Sequence, residues 1–149
     1  MAQTVTMATD RSPHLLNRWH RRILRLTRGR VGWHAYGMPM LELTTVGRKS
    51  GEKRTTMLSS PMQRRDAIVV VASRGGSELH PDWYLNLVAE PLVEDDFRGR
   101  GVRGMRAHVA DVEKRAELWP IVTKDHRNYA AYQRKTDREI PLVLLEPIA

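Results

Sequence analysis

From Leu41 to Ser59 the chain carries two alternating runs, Leu41-Glu42-Leu43-Thr44-Thr45-Val46 and Arg54-Thr55-Thr56-Met57-Leu58-Ser59, separated by Gly47-Arg48-Lys49-Ser50-Gly51 with Glu52 and Lys53. A period of two puts successive side chains on opposite faces of a strand. So short a link joins antiparallel neighbours, since a parallel pair needs a crossover of about a dozen residues or more. A hairpin in this position commits the chain to a sheet built largely from antiparallel strands.

The same pattern recurs downstream. Ala67 to Ser73 is a continuous β-branched run, which suits a strand covered on both faces, and Arg74-Gly75-Gly76 ends it. Leu92 to Phe97 and Val102 to Val112 read as a second hairpin, with Met105, Ala107 and Val109 alternating against Arg106 and His108. A last strand, Ile140 to Leu145, ends at Pro147. Between these lie helices. Pro81 opens a short one through Ala89 with Trp83, Leu87 and Val88 facing inward. Asp111 caps another whose apolar face is Ala116, Trp119 and Val122, and a further turn or two carries Tyr129 and Tyr132. The expected architecture is α+β, mainly antiparallel β, closed as a small barrel with helices outside, and not a doubly wound fold.

At 149 residues without cysteine, the chain makes one domain with no disulfides to support it. Residues 41–149 form the barrel. Residues 1–40 precede it as an amphipathic helix and an irregular connection marked by Gly29, Gly32, Gly37 and Pro39. In that helix Ser12-Pro13 reads as cap and first turn; Leu15, Leu16, Trp19, Ile23 and Leu26 share one face, with Arg18, Arg21, Arg22 and Arg25 mostly opposite. Such a helix packs on the core, lies on an anionic membrane or lids a site, and the pattern leaves all three open. The start of the chain lacks the basic and apolar regions of a secretory signal, so the expected location is cytoplasmic, with peripheral membrane contact through this helix as the variant reading.

Charge is placed unevenly. Residues 1–60 hold eleven Lys and Arg against Asp10, Glu42 and Glu52, while the remainder holds fourteen of each sign, so the whole net charge of +8 lies in the first part. An anionic partner follows, with charge alone unable to choose among polyphosphate cofactor, lipid and nucleic acid. Nucleic acid is disfavoured because aromatics make up only 6% of the chain and three of the four tryptophans fall on core faces. His14, His20, His34, His80, His108 and His126 have no metal-ligand spacing, so no metal site is expected.

Gly99-Arg100-Gly101-Val102-Arg103-Gly104 fits G-x-G-x-x-G literally, yet that fingerprint works where a helix follows the glycines, and here an alternating strand follows. Gly47-Arg48-Lys49-Ser50-Gly51 is not a Walker A loop, lacking the earlier glycine. It still offers two glycines, a hydroxyl and two cations. A turn of that composition can hold phosphate, and it can equally be a solvated basic tip.

Taken together, several segments resemble the deazaflavin-dependent nitroreductase family, whose members bind reduced coenzyme F-420. They are Leu41 to Gly51, Val71-Ala72-Ser73-Arg74-Gly75-Gly76, His80-Pro81-Asp82-Trp83-Tyr84-Leu85-Asn86-Leu87, Glu117-Leu118-Trp119-Pro120, the pair Tyr129 and Tyr132, and Ile140 to Pro147. The resemblance implies a split β-barrel of the FMN-binding, pyridoxamine-phosphate-oxidase-like kind with flanking helices. It implies that Arg48, Lys49, Ser50 and Arg54, Thr55, Thr56, Met57, Leu58 and Ser59 line the phosphate and linker side. Val71, Ala72, Ser73 and Arg74, with Asp82, Trp83, Tyr84, Leu85 and Asn86, would border the deazaflavin, and Tyr129 would stand over the pocket. Arg74 replaces a lysine common there, and Asp82 a small or apolar residue.

The implied activity is hydride transfer from the reduced coenzyme to a quinone, nitroaromatic or other conjugated electrophile, with Tyr129 or Ser73 placing a proton or polarising the acceptor. A noncatalytic carrier of the same coenzyme, or a flavin- or haem-binding split barrel, remains the alternative.

Overall fold

The computed structural model describes residues 34–35 and 37–148; the helix expected over residues 13–26 lies outside them. In chain order the elements are β1 (His34–Ala35), β2 (Met38–Val46), β3 (Lys53–Ser59), β4 (Met62–Arg64), β5 (Ala67–Val71), a 3-10 turn (Arg74–Gly76), α1 (Asp82–Ala89), β6 (Leu92–Phe97), β7 (Val102–Val109), α2 (Val112–Asp125), α3 (Arg127–Arg134) and β8 (Leu142–Pro147). Every strand pairing among them is antiparallel. The sheet runs β3-β2-β6-β7-β8-β5-β4, with β1 on the start of β2.

The outermost strands of that path, β3 and β4, are consecutive in the chain, so the sheet curls back on itself at Ser59–Met62. Ser60 fastens the seam. Its N–H donates to the Pro39 carbonyl at 2.9 Å and its hydroxyl to the Val69 carbonyl at 2.7 Å, tying β2 to β5 while the residue is wholly buried.

Alternation then decides which side chains fill the curl. Leu41 and Leu43 on β2, Val93 on β6, Met105 and Ala107 on β7, Val143 and Leu145 on β8, and Ile68 and Val70 on β5 form one cluster, closed by Leu87 of α1. Each such apolar side chain taken from water contributes about 1.5–3 kcal/mol. The opposite face of β5 and β8 presents Val69, Val71 and Leu142 to a second cluster with Leu118, Val122, Tyr129 and Ile140, from α2, α3 and the segment before β8. β5 is therefore covered on both sides, as its continuous apolar run requires.

Differences from the sequence expectations have local causes. The expected boundary at residues 40 and 41 falls inside β2, which begins at Met38 with four consecutive buried residues, the alternation setting in at Leu41. The strand expected from Ala67 to Ser73 stops at Val71, and that from Val102 stops at Val109. β8 begins only at Leu142; Ile140 and Pro141 lead into it. Val88, Val109 and Ala116 are exposed; α2 instead turns Leu118 and Val122 inward and lays Arg115 over the Trp119 ring at 4.3 Å. Asp111 caps α2 as expected, accepting from the Lys114 N–H at 2.8 Å. A strand does follow Gly99–Gly101, beginning at Val102, so the literal dinucleotide fingerprint is a hairpin turn. Among the described residues no helix is long and apolar enough to cross a membrane.

Candidate active site

The helix α1 is the hub. From one side the Gly47–Gly51 turn is pinned to it by Arg48, whose Nη1 and backbone N–H both donate to Asn86 Oδ1, at 2.8 and 3.1 Å, while Nη2 donates to Asp82 Oδ1 at 3.3 Å. Asn86 in turn donates from Nδ2 to Thr45 Oγ1 at 3.2 Å, tying α1 to β2. The turn closes on itself through Gly47 N–H to the Glu52 carbonyl and Gly51 N–H to the Gly47 carbonyl. Gly51 has φ of 73°, the left-handed region that glycine enters without a steric cost.

The second approach to α1 is the bend after β5. Arg74, Gly75 and Gly76 have φ of 45°, 63° and 86° in succession. For Arg74 that conformation costs about 1–2 kcal/mol, so something must hold it. Arg138 does. Its Nη2 donates to the Ser73 carbonyl at 2.8 Å, Nη1 to the Ala72 carbonyl at 3.2 Å and Nε to the Ser77 carbonyl at 2.8 Å. Nη1 also meets His80 Nδ1 at 3.1 Å, and the Tyr84 ring of α1 lies on His80, 4.7 Å between centroids. Burial, then the Arg138 charge, lower the His80 pKa; burial raises that of Tyr84 despite the same charge.

These contacts sort the residues expected to form the site. Lys49, Ser50 and Arg54 are exposed at the turn; the Ser50 hydroxyl accepts from Glu52 N–H and from Arg54, and Lys49 has no partner among the described residues. Ser73 has a nearly buried side chain whose hydroxyl bonds to no described residue, and Arg74 beside it is exposed. Trp83, Tyr84 and Leu85 are half-buried, the first two edge-on at 6.5 Å. All six residues from Arg54 to Ser59 cannot face one ligand. Register pairs Arg54, Thr56 and Leu58 with Thr45, Leu43 and Leu41 on the inner face of the sheet; Thr55, Met57 and Ser59 point to the other side, where Thr55 meets Thr44 at 3.1 Å and Ser59 meets Met40.

The other expected positions are buried. Asn86 is buried with both acceptor positions of Oδ1 taken by Arg48, which makes it an anchor for the turn and not an exposed edge for a ligand. Val71 and Ala72 are buried, Val71 within the second cluster. Tyr129 is also there, 6% exposed, its hydroxyl 3.5 Å from Met38 Sδ and its pKa pushed up to about 12, first by burial and then by Tyr132. Among the described residues it walls the core and does not face an open pocket. Sequence reasoning passed over Arg138, His80 and Thr45. Arg138 sits in the polar stretch Thr136-Asp137-Arg138-Glu139, where nothing distinguishes it from a solvated cation.

Fit to an anionic cofactor rests on the donor set. Lys49 and the Ser50 hydroxyl lie on the glycine-bounded turn with Arg54 beside them on β3, the exposed Arg74 and the Ser73 hydroxyl lie on the bend, and a Cβ on either Gly51 or Gly75 would meet nothing within 4 Å. No cluster of metal-binding side chains occurs among the described residues. A curled antiparallel sheet of this strand order, with helices packed outside it, defines the class of small split-barrel proteins.

Within that class the chain belongs to the F420H(2)-dependent quinone reductase family, whose model matches residues 16–147. It is 40% identical over 136 residues to a Mycobacterium tuberculosis protein of that name, covering 87% of this chain and 89% of the relative. A solved reductase dependent on reduced F-420 superposes with a TM-score of 0.62 at 36% identity, covering 72% of this chain and 94% of that one. A haem-storage protein of Vibrio cholerae shares the fold alone, at 15% identity and a TM-score of 0.53 over 74% of this chain and 82% of that one.

Proposed function

We propose that this chain is an oxidoreductase that passes hydride from reduced coenzyme F-420 to a quinone, with nitroaromatics and other conjugated electrophiles as further acceptors. The observation that carries the reading is a basic turn bonded to α1 by Arg48 and a bend joined to α1 through Arg138 and His80, each leaving hydrogen-bonding capacity unused, at Lys49 and Ser73. When bound, the reduced deazaflavin supplies a hydride from carbon.

The chain's part is to bind, orient and shield. Lys49 and Arg54, with Ser50 between them, take phosphate and acidic groups through charge-assisted hydrogen bonds, and Arg74 takes a further anionic or carbonyl edge. Trp83 and Tyr84 offer flat apolar surface against which a ring system packs away from water. The Ser73 hydroxyl is a neutral alcohol at physiological pH, so it orients or polarises the acceptor oxygen by donating a hydrogen bond, while the proton that completes reduction comes from solvent. Contact of the basic N-terminal segment with an anionic membrane rests on its sequence pattern; sedimentation with anionic and neutral liposomes checks it, and equal binding to both removes it.

The test of function mixes the protein with reduced coenzyme F-420 and menadione. Absorbance of the oxidised coenzyme should return with turnover, and NADH or NADPH should support little. NADPH oxidation with an inert deazaflavin overturns the reading. Tight binding of the coenzyme without turnover on quinones, nitroaromatics and unsaturated lactones converts the chain to a carrier.

A further inference from the structure

We propose that Arg138, which lies beyond α3 and outside the turn and helix assigned above to the coenzyme, is the positioning residue of the site, holding Ser73 and Arg74 in the conformation that receives the coenzyme. The proposal rests on the coenzyme reading above and adds to it the residue that makes one half of the site.

Ser73–Gly76 cannot hold itself. It passes through three consecutive left-handed residues, one of them an arginine, and its backbone closes through Gly76 N–H to the Ser73 carbonyl and Ser77 N–H to the Arg74 carbonyl. Gly76 presses on α3 so closely that a Cβ there would lie 2.8 Å from the Tyr132 carbonyl. Into this segment Arg138 sends Nε and both Nη atoms, reaching carbonyls before, within and after the bend. A planar guanidinium projects donors in several fixed directions at once; a lysine ammonium at the end of a flexible stem does not reproduce that fork. Ser73 and Arg74 are flanked by the three carbonyls it holds, so their placement follows from Arg138.

The same side chain ties the bend to α1. Arginine has no acceptor, so the His80 Nδ1 that faces Arg138 Nη1 must offer a lone pair, and the ring is neutral with its proton on Nε2. The charged and titratable groups on His80 are Arg138 from the α3–β8 connection and Tyr84 from α1, with the Arg74 charge acting in turn on Arg138. None is an acid. Protonating His80 sets N–H against N–H beside a second cation and opens the joint. Because burial and Arg138 hold the His80 pKa below its usual 6.5, the joint is closed at neutral pH and opens only as the medium becomes acid.

Two variants test this, each with binding of oxidised coenzyme F-420 followed by its fluorescence, steady-state rates with menadione, and thermal unfolding. R138K keeps the charge and loses the fork; it should raise Kd for the coenzyme about tenfold or more while KM for menadione moves less than about threefold. H80N keeps an acceptor where Nδ1 stands and cannot titrate. It should bind like wild type at neutral pH and lack the loss of affinity expected of wild type as the medium becomes acid. Titrations of the coenzyme itself are common to both proteins and cancel in that comparison.

Wild-type affinity in a folded R138K, or an acid loss that persists unchanged in H80N, overturns the proposal. Should R138K not fold, the H80N profile alone decides. A wild-type protein that does not bind the coenzyme overturns the functional reading and this inference with it, whereas tight wild-type binding with unaltered variants overturns the inference alone.

Discussion

Two loops reach α1, and each is fixed by an arginine, but the arginines work from opposite directions. In the Gly47–Gly51 turn the lock is Arg48, a member of the turn itself, which finds a buried amide and an exposed carboxylate on the helix. In the Ser73–Gly76 bend the lock is Arg138, drawn from beyond α3, and every acceptor it uses apart from His80 is a backbone carbonyl. The turn closes with its own hydrogen bonds and has only one positive-φ residue, Gly51; the bend has three in a row and leans on α3. A self-closing turn tolerates changes at its exposed positions, whereas a bend held from outside transmits any change to its support.

Glycine substitutions sharpen that contrast most. Gly76→Ala meets both a left-handed backbone and the Tyr132 carbonyl, so a loss of about 2–4 kcal/mol in urea unfolding is expected. Gly51→Ala meets the same backbone preference but open space, and about 1 kcal/mol suffices. Equal losses at the two sites would erase the distinction between a supported bend and a free turn.

Asn86→Leu breaks the lock of the turn. It strips Arg48 of its best acceptor and leaves Thr45 Oγ1 without its donor in a buried position, which costs about 2–3 kcal/mol. Coenzyme affinity should fall about tenfold with it, measured by fluorescence titration. A variant with unchanged binding would mean that the turn takes its ligand without being held.

The turn was legible because its signals are local. Alternation on either side, two glycines and a run of cations announce a basic hairpin tip, and the register of β2 with β3 follows. Both hairpins, the α1 start at Pro81 and the Asp111 cap were readable for the same reason. β4 was not: three residues between Pro61 and Arg65, itself at φ of 56°, are too few to show a period. The α2 face was misread around Pro120, where Leu118, not Ala116, meets the second cluster. Arg138 carried no signal because its partners are carbonyls, which every residue has, and their arrangement exists only after folding. Of the site, composition gave the donors on the turn and tertiary structure gave what holds the bend.

Changes at the exposed cations should separate ligand binding from stability. Lys49→Ala and Arg54→Ala remove charges that hold little within the protein, so thermal unfolding should shift by no more than about 2 °C. Coenzyme affinity should fall about three- to tenfold at low ionic strength, and less at 0.5 M salt, where the Debye length is only about 4 Å. Unchanged affinity at low salt in both variants returns the turn to a solvated tip.

Tyr129→Phe should have the smallest effect, and its direction distinguishes core from catalyst. The hydroxyl lies inside the second cluster on Met38 Sδ at 3.5 Å, a weak partner, so its removal changes stability at neutral pH by less than about 1 kcal/mol. Coenzyme affinity and quinone turnover should stay within about twofold, because the phenol is buried on Met38 within the second cluster. The pH dependence is where it shows. Burial, with Tyr132 adding to it, raises the folded-state pKa to about 12, above an unfolded value of about 10, so the group favours the folded state fully below pH 10 and that contribution is lost as pH rises towards 12. Phenylalanine cannot ionise, so Tyr129→Phe should flatten the decline in stability across that alkaline window, read by denaturant unfolding at a series of pH values. A drop in turnover of tenfold or more with unaltered binding would instead put the phenol at the acceptor and overturn its assignment to the core.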